Sequence, residues 1–410
     1  MRRTAPTTDT IEKAAAKLAQ KLLKDKHLLS LYIYYTVYFL SIGLTVYATK
    51  YFGEIGLSDS QIGLITAVPA FAALFLQPLW GSLADRAKYM RSVLIGALAI
   101  ASVFCFLEPL AVGNYWLLLV VLTLFSAFTL PALPVGNAIS IEYTGSHGYN
   151  FGPVRMMGTV GYQVSILVMG FVFSASLKNL YPVLGAMTLV AAASARLLPP
   201  VRGFQHDKER ISFTVFFKNP DLRMLFIVVF LGQLAGQFSI VFFSKHLGDL
   251  GVSNSLTGVI STLAVSLEIP FLLFADRLMK KLPIWTWMWI GLAVNSVRFL
   301  ALSVVRAPGL ILAAQILSVF QLSCFEFFPF VYLGRIAPKE LLSTVQSTYQ
   351  MVAFGVSRIV SSLLGGLIAD YTGIHAVFGI NGALLLAAAV LLFVPLRRRA
   401  KRDGVPGEKE

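Results

Sequence analysis

The stretch Gln77–Arg91 reads QPLWGSLADRAKYMR, and its setting decides the fold. A largely apolar run, Ile62 to Leu76, precedes it, and another begins at Ser92. A short polar link with Asp85, Arg86, Lys88 and Arg91 therefore joins two hydrophobic helices. Gly81 has no Cβ and lets another helix approach closely. Asp85 can accept hydrogen bonds from a helix N-terminus or pair with an arginine. A basic loop that only orients the chain would look similar. However, Ala84-Asp85-Arg86 returns as Ala275-Asp276-Arg277, again followed by basic residues, Lys280 and Lys281. The copies lie 191 residues apart and mark equivalent hairpins in two halves of the chain. Gly81, Asp85, Arg86, Asp276 and Arg277 are expected to form gate contacts between helices.

Working outward, the composition sets the class. The 410 residues are 57% hydrophobic and 13% charged, with mean hydropathy +0.74. A soluble chain carries about a quarter charged residues. The apolar runs are long and lack alternation, so membrane-spanning helices win over a barrel. The net charge of +14 lies almost wholly between or outside these runs, which argues against nucleic acid as a partner. Cys105 and Cys324 sit inside apolar stretches without metal or redox spacing, so neither a disulfide framework nor a metal site is expected. No nucleophile–base pair or phosphate loop supports an enzyme. No cofactor is expected, and the chain is expected to act as a monomer in the lipid bilayer.

The reading gives an all-α membrane protein of twelve spans, at roughly 29–52, 61–83, 92–112, 115–141, 151–175, 179–199, 222–247, 255–275, 284–305, 308–334, 341–369 and 374–396. Residues 1–27 form a basic lead-in, either a helix on the inner leaflet or a solvated tail. Residues 28–200 form one six-helix half, 201–221 a linker, 222–396 the second half and 397–410 a basic tail. The halves are parallel repeats. With the N-terminus inside, 27 of the 34 Lys and Arg fall on the cytoplasmic side, while Lys50, Lys178, Lys245 and Arg306 fall opposite. Both termini are therefore expected in the cytoplasm of a cell whose inner membrane the chain crosses. Trp285, Trp287 and Trp289 read as an interfacial belt.

A charged side chain at mid-bilayer costs at least about 2.5–3.5 kcal/mol, so such residues usually face a bundle interior or a wet cavity. The candidates are Arg155, Arg298 and Arg358 against Glu268 and Glu326. Glu108 lies near the outer end of its span, within reach of water. Arg155 either snorkels at the end of span five or faces the interior. Glu268 precedes Pro270, a helix-bending residue. Glu326 either carries a proton or forms a fixed pair with Arg298. Gln233 and Gln237 share a face of span seven. Tyr162 lies two turns along the same face as Arg155, which suggests a ring that stacks and a guanidinium that makes paired hydrogen bonds to a small solute. Tyr34, Tyr35 and Tyr38 suit either a cavity wall or a lipid-facing surface.

These residues resemble the major facilitator superfamily across essentially the whole chain. Gly81-Ser82-Leu83-Ala84-Asp85-Arg86 is similar to its signature between the second and third helices. More narrowly, the chain resembles the oligosaccharide:proton symporters and the phenylpropionate and nucleoside proton symporters. Gln77-Pro78-Leu79-Trp80-Gly81 is similar to the approach to that loop in lactose permease, and Asn150 to Tyr162 (NFGPVRMMGTVGY) to its fifth helix. The resemblance implies that Arg155 binds substrate and that Tyr162 stands where a stacking Trp is found. It implies that Asn295-Ser296-Val297-Arg298 carries the ninth-helix Arg of a proton-coupling site. Asn137 replaces the acidic residue of helix four. Glu326 lies within about one residue of the tenth-helix Glu, with Cys324 near its His partner, and Glu268 falls where the permease has a sugar-contacting amide. The implied activity is alternating-access symport of protons with a small polar solute such as a sugar, nucleoside or aromatic acid. Arg155, Tyr162, Glu268, Asn137, Gln233 and Gln237 would hold substrate, and Glu326, Arg298 and Glu268 the proton. A passive facilitator and a non-transporting sensor on the same fold are the alternatives.

Overall fold

The computed structural model describes residues 25–203, 219–268, 271, 278–279, 281–336 and 342–403. The basic lead-in and most of the linker lie outside the described residues, as do Pro270, Asp276, Arg277 and Lys280. All regular structure within the described residues is helical.

Ten helices are long and apolar enough to cross a membrane. They are α1 (Lys26–Glu54), α2 (Asp59–Arg86), α3 (Met90–Ala111), α4 (Tyr115–Ser146), α5 (Phe151–Val172), α7 (Pro220–Asp249), α9 (Ile284–Val304), α10 (Pro308–Leu333), α11 (Thr348–Thr372) and α12 (Ile374–Leu391). Between them stand a shorter apolar helix, α6 (Leu180–Ala195), and α8 (Asn254–Ser266), which ends just before undescribed residues. A basic helix, α13 (Phe393–Asp403), closes the described chain.

Helix starts follow from short polar side chains that accept orphan N–H groups. Asp25 caps α1 by accepting from the N–H groups of His27 and Leu28, both at 3.0 Å. Ser58 and Gln61 form a reciprocal capping box on α2. Asn219 caps α7, with Pro220 in the first turn. Ser253 caps α8.

One repeat was not anticipated. Gly56-Leu57-Ser58-Asp59-Ser60-Gln61-Ile62-Gly63 recurs 195 residues later as Gly251-Val252-Ser253-Asn254-Ser255-Leu256-Thr257-Gly258. Gly56 and Gly251 both adopt positive φ, +86° and +74°, which L side chains rarely tolerate. Each turn hands the chain to a serine-capped helix whose fifth residue is a glycine.

Those fifth-residue glycines join the halves. Gly63 of α2 backs onto Gly366 of α11, and Gly258 of α8 backs onto Gly170 of α5. Neither crossing has room for a Cβ: one built on Gly170 would lie 2.7 Å from the Tyr47 hydroxyl and 2.8 Å from the Asn254 carbonyl. Polar contacts surround both crossings. Asn254 Nδ2 donates to Phe173 O at 2.7 Å, and Ser255 Oγ to Gly170 O at 3.2 Å. The Asp59 N–H donates to Asp370 Oδ1 at 2.6 Å, Lys50 Nζ to Val252 O at 2.7 Å, and Lys245 pairs with Asp59 at 3.0 Å. All of these lie at the end of the bundle away from the termini, called distal below.

Two expectations fail here. Glu108 does not reach water: it is 0% exposed, and its Oε1 accepts from the Tyr51 hydroxyl at 2.7 Å. α3 is enclosed there by Tyr51 of α1 and Tyr181 of α6. The three tryptophans are not an interfacial belt. Trp285 is buried and donates to Asp403 at 2.8 Å, Trp287 to Leu278 O at 3.1 Å and Trp289 to Ala389 O at 2.9 Å. Their N–H groups tie α9 to its neighbours within one half.

Asp25 also binds the Tyr143 hydroxyl at 2.8 Å, pinning α1 to α4. Burial pushes its carboxyl up, but bonds from Leu28, Tyr143, Tyr149 and His27 outweigh this and hold it below its ordinary value. The Asp25→Ala protein should lose about 1 kcal/mol of stability at neutral pH. Because the folded value is depressed, that contribution is present above the ordinary value and fades as pH falls through the folded one. Thermal melts of both proteins at neutral and acid pH check this; a constant gap across pH would contradict it. At the distal end, Gly170→Val should wedge α5 from α8. A cysteine placed at Ser255 should then react severalfold faster with a membrane-impermeant maleimide. Equal rates with and without Gly170→Val would show that the crossing does not depend on that glycine.

Candidate functional site

Beneath the distal crossings the halves part around a cavity of about 810 Å³. Tyr162 of α5 faces it from one half. Gln233 of α7, Glu268 just beyond α8, Arg298 of α9, Glu326 of α10 and Arg358 of α11 face it from the other.

Two of these helices widen where they carry a charge. In α10 the segment Ser323–Phe327 is a π-turn holding Glu326, and in α11 the π-turn Met351–Val356 ends two residues before Arg358. Such insertions release backbone carbonyls that need new donors, and they recur at functional sites. Here Ser357 Oγ donates to Val352 O at 2.9 Å, and the Tyr349 hydroxyl donates to Phe325 O.

Of the two alternatives for Glu326, the fixed pair with Arg298 is not formed in this conformation. Arg298 is 4% exposed and satisfied by neutral groups. Its Nε and Nη2 donate to Gln315 Oε1 at 2.9 and 2.6 Å, Nη2 also to Ser239 Oγ at 3.2 Å, and Nη1 to Asn295 Oδ1 at 3.4 Å. The guanidinium also stands over the Phe299 ring at 4.9 Å. Glu326 Oε1 instead accepts from Gln233 Nε2 at 3.3 Å. The two Gln side chains take the places that the ion pair would have filled.

Arg155 and Tyr162 are separated by about 10 Å along α5, and of the two Tyr162 is on the cavity wall. Arg155 lies toward the termini, its guanidinium 4.5 Å from the Phe39 ring centroid, and is not on the cavity wall. Asn137 is also off the wall; its Oδ1 accepts from the Tyr35 hydroxyl at 2.5 Å. Arg155 and Asn137 thus belong to a second polar group around the tyrosines of α1, of which Tyr38 reaches the cavity. Tyr34 and Tyr35 are buried against α4 rather than facing lipid. Gln233 lines the cavity, while Gln237 is buried beside it with Nε2 unpartnered.

Gly81 is exposed, and a Cβ there meets nothing within 4 Å, so the helix contact expected at this glycine is absent. Close approach occurs instead about one turn further along α2, where Gly203 packs on the Asp85 carbonyl. Among the described residues the close backbone contacts between α2 and α11 are distal, at Gly63 and Gly366, and the contact thins to side chains by Leu74 and Gly355, before Gly81 is reached.

The residue that a site assignment from sequence left out is Arg358. Its charge inside an apolar span was visible, and it forms part of the cavity wall. Gln315 and Gln321 were also missed, and only their polarity within span ten could have pointed to them.

The chain matches the family model described as MFS_1 like family over residues 28–380. It is 26% identical over 370 residues to the uncharacterised transporter YwbF of Bacillus subtilis (strain 168), covering 88% of this chain and 92% of the relative. It is 24% identical over 361 residues to a maltose permease of Geobacillus stearothermophilus, covering 87% and 90%. Its fold is similar to the crystal structure of nucleoside transporter NupG, with a TM-score of 0.78 at 19% identity over 89% of this chain and 98% of that one. With the match spanning both helical halves and the cavity between them, the chain belongs to the MFS_1 like family of multi-pass membrane proteins, as the resemblance to the major facilitator superfamily implied.

Proposed function

We propose that this transporter is a proton-coupled symporter of a small polar solute of the sugar or nucleoside kind, working by alternating access. The observation that carries this reading is the cavity itself. It lies between two repeat-related halves, is sealed distally by glycine crossings and is lined by Tyr162, Glu268, Arg298, Glu326 and Arg358. A sensor on the same scaffold has no need of charged groups around an 810 Å³ space. The maltose permease and nucleoside transporter relatives support a hydroxyl-rich solute.

In this reading the chain crosses the membrane twelve times, with α6 and the segment beginning at α8 completing the set. It acts as a monomer with both termini in the cytoplasm, and in a bacterial cell it resides in the inner membrane. The distal seal then faces outward, and the described conformation loads and unloads on the cytoplasmic side. Rocking of the halves would break the crossings of Gly63 with Gly366 and Gly170 with Gly258. It would bring the α2 end carrying Gly81, Asp85 and Arg86 toward the opposite half, where Asp276 and Arg277 mark the equivalent hairpin. Tyr162, Glu268 and Gln233 hold substrate, with Gln237 behind them. Arg155 and Asn137 line its route from the termini side.

Glu326 is the proton carrier. Its carboxyl is held by Gln233, not by a cation, so it gains or loses a proton without breaking an ion pair. Glu326→Gln keeps that hydrogen bond in a permanently neutral form. The variant should fold, bind and exchange substrate across vesicles at near wild-type rates, because a loaded carrier reorients without proton release. It should fail to accumulate substrate against a gradient, reducing uphill uptake by about a hundredfold or more, the scale of a lost essential proton-transfer group. The check is exchange and pH-driven uptake on the same vesicles. Wild-type uphill uptake would move the carrier role to Glu268, and a wild-type protein that equilibrates solute without ever concentrating it would be a facilitator.

A further inference from the structure

Three polar groups on the cavity wall have no partner of their own. Among the described residues the Arg358 guanidinium, the Tyr162 hydroxyl and the Glu268 carboxylate make no hydrogen bond and no ion pair. They are neighbours nonetheless, since Tyr162 lies within electrostatic range of both Glu268 and Arg358. All three are partly exposed to the cavity, so water serves them when it is empty and a ligand with matching donors and acceptors can take that water's place. Arg298 cannot serve in the same way, because Gln315, Ser239 and Asn295 already occupy its donors. Arg155 is stacked on Phe39 away from the wall.

We propose that the solute is a monoanionic polyol, a sugar acid. Its carboxylate seats on the Arg358 guanidinium and the Tyr162 hydroxyl, and its ring hydroxyls donate to Glu268. A planar guanidinium matches a carboxylate with two parallel hydrogen bonds. Glu268, an acceptor when ionised, suits hydroxyl donors and repels a second carboxylate.

Charge balance selects the same class, and this step rests on the symport reading above. The wall carries Arg298 and Arg358 against Glu268 and Glu326, balanced when both carboxyls are ionised. In that doubly ionised form the empty carrier reorients without moving net charge through a low-dielectric bundle. When Glu326 takes a proton, the wall gains one positive charge. A neutral sugar leaves that charge uncompensated, whereas a monoanion cancels it, so the loaded carrier is neutral again.

The probes are D-glucuronate, D-glucose and uridine, measured on the full chain by titration calorimetry and by uptake into vesicles under an imposed pH gradient. Glucuronate and glucose share a ring and differ at one carbon, where the first carries a carboxylate. Glucuronate should bind about tenfold tighter than glucose or more, the scale of a charge-assisted hydrogen bond. Its uptake should be insensitive to an imposed membrane potential. Arg358→Gln should bring the glucuronate-to-glucose ratio close to unity, and Arg358→Lys should restore part of it. Because the Arg358 guanidinium has no hydrogen-bond or ion-pair partner among the described residues, both variants should melt like wild type without ligand, so loss of the ratio reports on the seat and not on folding. Glucose or uridine binding as tightly as glucuronate would overturn the proposal, as would an unchanged ratio in Arg358→Gln or no binding of glucuronate. Uphill uptake of glucose or uridine alone would sink the sugar-acid seat and leave the symport reading standing. Tight glucuronate binding that Arg358→Gln abolishes, without pH-driven uptake, would keep the seat and sink the symport reading.

Discussion

The hydrocarbon core of a membrane holds no water, so each charge placed there must be satisfied by the protein or kept beside a wet space. This constraint sorts the two arginines of the second half. Arg298 sits where α7, α9 and α10 converge, and three neutral side chains take up its donors. Arg358 has no such shell and is tolerated because it borders the cavity. One arginine is part of the bundle's internal structure and the other is available for chemistry. Sequence position alone does not separate them, since both lie within apolar runs.

The same constraint explains why the halves touch through glycine. Two helices that pack in lipid gain little from burying apolar surface, because lipid tails are equally apolar. They gain from close backbone approach, which needs residues without side chains. Gly63 with Gly366 and Gly170 with Gly258 are one contact made twice, each supplied by a serine-capped helix start in one half and a helix end in the other. Their polar fringe is not symmetric. Lys245 and Asp59 flank one crossing, while Asn254 and Ser255 bond backbone carbonyls at the other. A seal built from short contacts and a few hydrogen bonds at one end can part as a unit without unfolding either half.

Much of the architecture was legible. Long apolar runs and the polar link at Gln77–Arg91 were enough to reach an all-α membrane protein of the major facilitator kind. The stronger repeat, Gly56 to Gly63 against Gly251 to Gly258, went unread because small polar residues at a turn look like ordinary punctuation between spans. The site was legible as a list of intramembrane polar residues but not as a set of pairs. Opposite charges suggested Arg298 with Glu326, yet Gln315 and Gln233 intervene, and a sequence does not show which amide faces which charge. Arg155 and Tyr162 share a helical face, but sharing a face fixes direction and leaves 10 Å of axial separation, about two turns. Gly81 lacked its expected contact because such a contact depends on which end of the bundle is closed.

The π-turns give the site its connectivity. Each adds a residue to a helical turn and frees a carbonyl, and neither carbonyl is left to solvent. The carbonyl of Phe325, in the turn that holds Glu326, is taken by the Tyr349 hydroxyl of α11. Tyr349 stands just before the second π-turn, and Arg358 just after it. The helix bearing the unpartnered guanidinium is therefore bonded to the backbone beside the cavity's buried carboxyl. Gln233 bonds that same carbonyl and the Glu326 side chain, which brings α7 into the group. A shift of α11 along its axis, as a ligand settles on Arg358, cannot leave Phe325 O and the Glu326 environment unchanged unless the Tyr349 bond breaks. Ordinary α-helical hydrogen bonding would have satisfied that carbonyl within α10 and left the two helices joined only by apolar contact.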